Sequence, residues 1–137
     1  MKHLFGFALL LGVLGFVSCD KNDAGNLTFS AQNLYQTAWH GTWTAGSSSE
    51  EVGIRFETMD QGEITYPDRN DPGYTNLDRF SYEIKDRYIY FSFGSAVGLD
   101  EGPWSLVKYT GNRLELRCGV EYVDPDMHEE LILNRVD

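Results

Sequence analysis

The chain has 137 residues, a length typical of a single domain. Its composition, 42% apolar and 14% aromatic, provides a hydrophobic core and excludes a disordered chain. Twenty-one acidic against 11 basic residues give a net charge of −10 without a Lys/Arg cluster, which argues against nucleic-acid binding. The same negative charge repels anionic lipids, so attachment to a membrane would need a hydrophobic segment.

Such a segment is present at the N-terminus, where a short positively charged start precedes an apolar run. Residues 4–17 contain no charged side chain over 14 positions. A bilayer-spanning helix needs roughly 20 apolar residues, so this run is too short to span. We therefore predict that residues 1–18 are a signal peptide.

The residues that end this run, Phe16-Val17-Ser18-Cys19, resemble the lipobox of bacterial lipoproteins, although that pattern usually has Leu where Phe16 stands. The resemblance implies cleavage before Cys19, lipidation of its thiol and anchoring in the lipid bilayer of a bacterial outer membrane. The acidic stretch 20–23 resembles the surface-export signal of Bacteroidota lipoproteins, and the facing side, periplasm or cell surface, stays open. The alternative is an ordinary secreted protein cut near this point.

Polar residues follow, and we predict that residues 19–33 are the lipidated Cys and a flexible tether. The stretch 28–37, "TFSAQNLYQT", allows one short helical turn with Ser30 as its N-cap. The barrel domain is then predicted over residues 34–137.

From Ala38 onward the pattern is one of short strands and turns. Residues 88–93 are apolar or aromatic on both faces, so the inward face of that strand is undecided. About eight strands with hairpin-length connections leave no room for parallel crossovers. We therefore predict an all-β, antiparallel, eight-stranded up-and-down barrel, the alternative being a two-sheet sandwich of the same strands. In four of the predicted strands, alternate residues clearly share one face. These groups are Trp39, Gly41 and Trp43; Val52, Ile54 and Phe56; Phe80, Tyr82 and Ile84; and Leu114, Leu116 and Cys118.

Three landmarks resemble the lipocalin-like superfamily, especially the small lipocalin-like lipoproteins of Bacteroidota. They are the G-x-W tripeptide Gly41-Thr42-Trp43, the hairpin 104–116, "WSLVKYTGNRLEL", and the final strand with Arg135. The resemblance implies that Trp43 seals the closed end of the barrel and that Arg135 stacks on it, a favourable cation–π contact. Gly41 beside the Trp would allow close backbone approach.

The sequence contains no recognisable catalytic or metal-binding motif. The loop that starts at Asp68 fails as an EF-hand because Pro72 and Arg79 occupy ligand positions. His40, His128 and Cys118 are too few for zinc, and Cys118 shares an apolar strand face, which predicts a buried, inert thiol. No nucleophile, base and orienting group assemble. We expect no cofactor, no metal and no enzymatic activity.

Inward aromatic side chains are the remaining feature, and they either fill a small barrel or line a ligand cavity. The candidate ligand-binding residues are Phe56, Tyr66, Tyr82 and Trp104, with Tyr88 and Tyr90 undecided.

The first functional hypothesis is a membrane-anchored lipoprotein whose barrel binds a small amphipathic molecule or a glycan non-covalently. The second is an accessory subunit of an envelope complex, with a filled barrel that docks an envelope protein. An exposed apolar loop patch around Val97 and Leu99 would favour the second. An inhibitor or an enzyme ranks third.

Overall fold

A computed structural model describes residues 28–68, 70–71, 73–94 and 98–137. The predicted signal peptide 1–18, Cys19 and most of the predicted tether lie outside these residues. Within the described part of the chain, no helix has the length and apolar character that crossing a bilayer requires.

The structure contains one short α-helix, eight strands and one 3-10 turn. Helix α1 spans Ala31–Leu34, and the 3-10 turn spans Pro125–Met127. The strands are β1 Thr37–Ala45, β2 Ser48–Phe56, β3 Gln61–Pro67, β4 Thr75–Lys85, β5 Tyr88–Phe93, β6 Trp104–Tyr109, β7 Arg113–Cys118 and β8 Glu129–Arg135.

Each strand pairs antiparallel with the next, and β8 pairs with β1, so the sheet is a closed barrel. Gly41 of β1, for example, lies opposite Val52 of β2 on one side and Leu133 of β8 on the other. The predicted eight-stranded, antiparallel up-and-down barrel of lipocalin-like strand order is confirmed. The sandwich alternative is wrong, because one sheet closes on itself and leaves no second layer.

The up-and-down order gives the barrel two different ends. We call the end that carries α1 the helix-capped end and the opposite end the loop end. The connections at the helix-capped end are 57–60, 86–87 and 110–112. Those at the loop end are 46–47, 68–74, 94–103 and 119–128.

The helix-capped end is closed by the segment that leads into β1. Ser30 caps α1 as predicted, its hydroxyl accepting a hydrogen bond from the Asn33 N–H. Leu34 is completely buried, and Phe29 packs edge-on against Tyr109 with ring centroids 5.7 Å apart. The core therefore includes Phe29, five residues before the predicted start of the barrel domain at residue 34.

Strand alternation places apolar side chains inside the barrel, as the sequence pattern of β2 and β4 predicts. On β5 the inward residues are Ile89 and Phe91, whereas Tyr88 and Tyr90 are exposed. Because the side-chain period is two, the pairing of Ile89 with Trp104 and Ile84 determines the direction of every β5 residue.

The interior is one continuous core of twenty buried apolar side chains among the described residues. Aromatic rings from four strand positions interlock in T-shaped pairs at 5.0–6.0 Å between centroids. Such edge-to-face pairs add roughly 0.5–1.5 kcal/mol each beyond the area they bury. These rings belong to Phe56, Phe80, Tyr82 and Phe91.

The β5–β6 seam has the shortest ladder of the barrel, with two paired positions. Beyond it, the loop at 98–103 takes over the pairing. The Glu101 carbonyl accepts the Phe91 N–H at 2.8 Å, and the Glu101 carboxylate accepts the Phe93 N–H at 3.0 Å. The seam therefore ties this loop to the wall, over the loop end.

Candidate functional site

Three of the four predicted ligand-binding residues belong to the packed interior. Phe56 and Trp104 are completely buried, and Tyr82 is nearly so. The Trp104 indole N–H donates to the Asp100 carbonyl at 2.7 Å, and the Tyr82 hydroxyl donates to the Thr58 carbonyl at 2.7 Å. Burial, together with the nearby Asp60 charge, raises the pKa of Tyr82 to about 12. Their polar atoms are satisfied within the protein, so these three side chains fill the barrel.

The fourth, Tyr66, is half-buried near the loop end of β3. Its hydroxyl donates to Asp78 Oδ2 at 2.6 Å, and this hydrogen bond is the largest cause that raises the pKa of Tyr66 to about 12. Tyr66 borders an open cleft of about 250 Å³ on the β2–β3 wall. Phe56 borders a different cleft of about 330 Å³ at the helix-capped end. Each of these clefts reaches one predicted ligand residue, so neither gathers the four together.

Gly41 stands on β1 at a point where β8 leaves no room for a side chain. A Cβ at this position would lie 1.9 Å from the Ile132 carbonyl oxygen, far inside van der Waals contact. Only glycine permits this backbone spacing, which is the close approach that the lipocalin-like resemblance implies.

The predicted stacking of Arg135 on Trp43 is wrong. Ladder pairing places Arg135 opposite Trp39, at the helix-capped end, and places Leu131 opposite Trp43. The exposed Arg135 instead donates to Asp137 at 2.7 Å. Trp43 consequently does not lie at the end that carries α1. The reason is register, because β8 begins at Glu129 and reaches its arginine only after crossing the barrel's full height.

Trp43 is the centre of a small cluster under the loop end. Its indole N–H donates to Glu129 Oε1 at 2.9 Å, and a Cβ at Gly98 would lie 3.5 Å from its ring atom Cη2. Leu99, next along the loop, is buried. Burial raises the pKa of Glu129, and the nearby Asp100 charge adds to the rise. Hydrogen bonds from Trp43 and from the Asp100 backbone N–H oppose it.

Cys118 lies in this cluster as a buried free thiol. Burial, followed by interactions with Asp100 and the Glu129 and Glu121 charges, raises its pKa to about 12. A thiol with such a pKa is neutral and unreactive at physiological pH.

Metal ligation is not supported by the side chains that the structure places together. Among the described residues, no group of three or more His, Cys, Asp or Glu side chains has an arrangement that would hold a metal ion. His40 is exposed on β1, and the half-buried His128 ring contacts the Tyr122 carbonyl oxygen at 2.7 Å. His128 therefore braces the loop before it.

The β7–β8 connection carries exposed apolar side chains that the sequence pattern did not single out. Val123 is 97% exposed, and Val120, Tyr122 and Met127 are each 51% exposed. We call these four the apolar tip. The apolar tip is not the exposed patch expected around Val97 and Leu99. Leu99 is buried, and Val97 lies outside the described residues. The sequence signal was the unusual run V-E-Y-V in a turn otherwise rich in Asp and Pro.

The loop that carries the apolar tip is held by its own hydrogen bonds. Asp124 caps the 3-10 turn by accepting the Asp126 N–H at 3.0 Å. The Tyr122 N–H donates to the Gly119 carbonyl at 3.1 Å, and the Gly46 N–H of the neighbouring turn donates to the His128 carbonyl at 3.0 Å. The tip is therefore preorganised, which lowers the entropy cost of any contact that it makes.

Charge is distributed unequally between the two ends. Counted over the described residues, the half of the barrel at the loop end has twelve carboxylates and two arginines. The half at the helix-capped end has seven carboxylates and six basic side chains. The loop-end half comprises the described residues of 41–52, 64–80, 91–106 and 116–132. The net negative charge of the described residues thus lies almost wholly at the loop end.

The fold and this geometry define a class, a closed eight-stranded barrel with a packed interior, one helix-capped end and one acidic loop end. Comparison with protein-family models, curated proteins and solved structures found no match to this chain.

Proposed function

We propose that this protein is a membrane-anchored envelope lipoprotein whose barrel is a non-catalytic docking module for a larger envelope protein. The observation that carries the proposal is the packed interior. Phe56, Tyr82 and Trp104, the side chains best suited to line a cavity, are core residues in contact with the rest of the barrel. A filled barrel offers its outside, and chiefly its loops, for recognition.

The direction of the chain supports a docking role at the loop end. Residue 28 enters at the helix-capped end, nine residues after Cys19. A nine-residue stretch reaches at most about 30 Å when fully extended. With Cys19 acylated and held in the bilayer, the tether would join the barrel at the helix-capped end and leave the loop end free for a partner.

The first hypothesis, a small amphipathic or glycan ligand inside the barrel, has weaker support. A ligand at Phe56 or Trp104 would have to displace side chains that are completely buried. Opening such space in a close-packed core costs roughly 2–5 kcal/mol for each large side chain that loses its contacts. The half-buried Tyr66 remains the one predicted ligand residue within reach of solvent.

Anchoring is tested on the mature N-terminus. We expect mass spectrometry of the N-terminal peptide to find a diacylglyceryl group on Cys19 and no residue before it. We expect Cys19→Ser to leave the signal uncleaved or to move the protein out of the membrane fraction. An unmodified Cys19 in the mature protein would overturn the anchor.

Docking is tested by the size of the complex that the protein forms. After mild detergent extraction from its own cells, the protein should migrate on a native gel in one discrete complex with a different protein. The Cys19→Ser form should lose that complex if anchoring brings the partners together. A monomer that carries a small molecule, identified by native mass spectrometry, would contradict docking and restore the ligand hypothesis.

A further inference from the structure

We propose that the apolar tip of the β7–β8 loop is the contact surface, and that its partner is a protein with an apolar pocket rimmed by Lys and Arg. This inference rests on the docking function proposed above and names the chemistry of the partner.

The first argument is that apolar side chains are exposed on a loop whose own hydrogen bonds hold its shape. The tip holds four of the twelve large apolar side chains that are exposed among the described residues, within an eight-residue stretch. Exposing Val123 almost completely has no folding benefit, since burying a valine is worth roughly 1.5–3 kcal/mol. The capping contacts of Asp124 and His128 hold the loop in this arrangement.

The second argument is charge. Glu121, Asp124 and Asp126 alternate with the apolar tip and are exposed. They belong to the half of the barrel whose described residues include twelve carboxylates and two arginines. Complementary charge across an interface accelerates encounter and excludes wrong partners, so the matching rim on the partner is basic.

The same charge argues against two other occupants. An anionic bilayer surface repels the loop end, and the tether proposed above leaves from the opposite end. A second copy of this chain would bring two acidic loop ends together. A separate protein with a basic rim is the occupant that satisfies both the apolar tip and its acidic surround.

The test places the photo-crosslinker p-benzoylphenylalanine at Val123 of the full chain, in the cells that normally make it. The matched control is Val136, which is 63% exposed at the helix-capped end. We expect Val123 to give one discrete protein adduct whose cross-linked peptide is rich in Lys and Arg. We expect no such adduct from Val136.

Charge is then removed without changing shape, by Glu121→Gln, Asp124→Asn and Asp126→Asn together. Asn retains the N-cap function at residue 124, so the loop keeps its turn. We expect the Val123 adduct to fall about tenfold, as loss of several rim charges predicts. The control pair Asp60→Asn and Asp86→Asn, at the helix-capped end, should leave the adduct unchanged.

The other possible results of these experiments each overturn a stated part of the proposal. An adduct with lipid or with a second copy of the chain overturns the inference. No adduct at Val123, while the native-gel complex persists, overturns the inference and leaves the docking function standing. An adduct that charge removal does not weaken overturns the basic rim. Loss of the native-gel complex itself removes both proposals.

Discussion

The two ends of the barrel are built from the same eight strands and differ in what finishes them. At the helix-capped end, Phe29 and Leu34 enter the core and charges of both signs nearly balance. At the loop end, Leu99 is buried, the half-buried Glu129 carboxylate accepts the Trp43 indole N–H, and the side chains of the apolar tip are exposed. The first arrangement is what stability alone favours. The second retains features that oppose stability, which is typical of recognition surfaces.

The largest expected effect on stability comes from a substitution in the barrel wall between β1 and β8, which runs from one end to the other. We predict that Gly41→Ala destabilises the protein by at least about 3 kcal/mol, because overpacking against a backbone carbonyl leaves no flexible group to yield. Chemical denaturation measures the loss. Gly94→Ala is the control, since a Cβ there meets no atom within 4 Å and should be nearly neutral. Equal effects from the two substitutions would contradict the close approach of β1 and β8.

The leucines that close each end provide a matched comparison. We predict that Leu34→Ala costs about 3–4 kcal/mol and Leu99→Ala about 2 kcal/mol, within the range for buried leucine truncation. Leu34, the last residue of α1, is completely buried, whereas Leu99 lies on a loop and is 4% exposed, so we expect the larger loss at Leu34. Urea titrations of both variants decide the order. A larger loss at Leu99 would mean that the loop end is the better packed of the two.

The buried carboxylate at the loop end predicts a pH dependence. The raised pKa of Glu129 means that the folded state holds the proton more tightly than the unfolded state does. This stabilisation is complete below the unfolded pKa of about 4.5 and is lost as pH rises through the folded pKa. We predict that Glu129→Gln, which can still accept from Trp43, flattens this loss and makes the protein slightly more stable than wild type at neutral pH.

Thermal unfolding at pH 4.5 and pH 7.5 measures the difference between wild type and Glu129→Gln. The exposed Glu51→Gln on the outer face of β2 is the control and should keep the wild-type profile. A Glu129→Gln protein that is less stable at neutral pH would show that the carboxylate is more stable ionised than neutral.

The smallest expected effect is at Cys118. Its pKa of about 12 predicts that iodoacetamide at pH 8 leaves it unlabelled in the folded protein and labels it only on unfolding. The Cys19→Ser form makes Cys118 the only thiol that can report. Rapid labelling of the folded chain would mean that the loop end opens far enough to admit reagent.

The parts that sequence reasoning predicted well are those with local causes. Alternation in β2 and β4 identified the inward residues, and the hydroxyl of Ser30 identified the helix start. The closed barrel followed from connection lengths, since short links force neighbouring strands to pair antiparallel.

The parts that failed depend on contacts between distant segments. Nothing local shows that Arg135 lies opposite Trp39, because that register follows from where β8 begins after the 3-10 turn. In β5, apolar side chains on both faces removed the period-two signal. The apolar tip was missed because only the folded loop shows that Val123 has no interior to enter.

Hydrogen–deuterium exchange on the mature protein, free and in the complex proposed above, tests the central claim most directly. The claim is that the filled barrel meets its partner at the loop end. The predicted result is slower exchange in the complex over residues 119–128, with residues 28–36 and the strand interiors unchanged. Protection of interior strands by a small ligand, or protection confined to the helix-capped end, would contradict it.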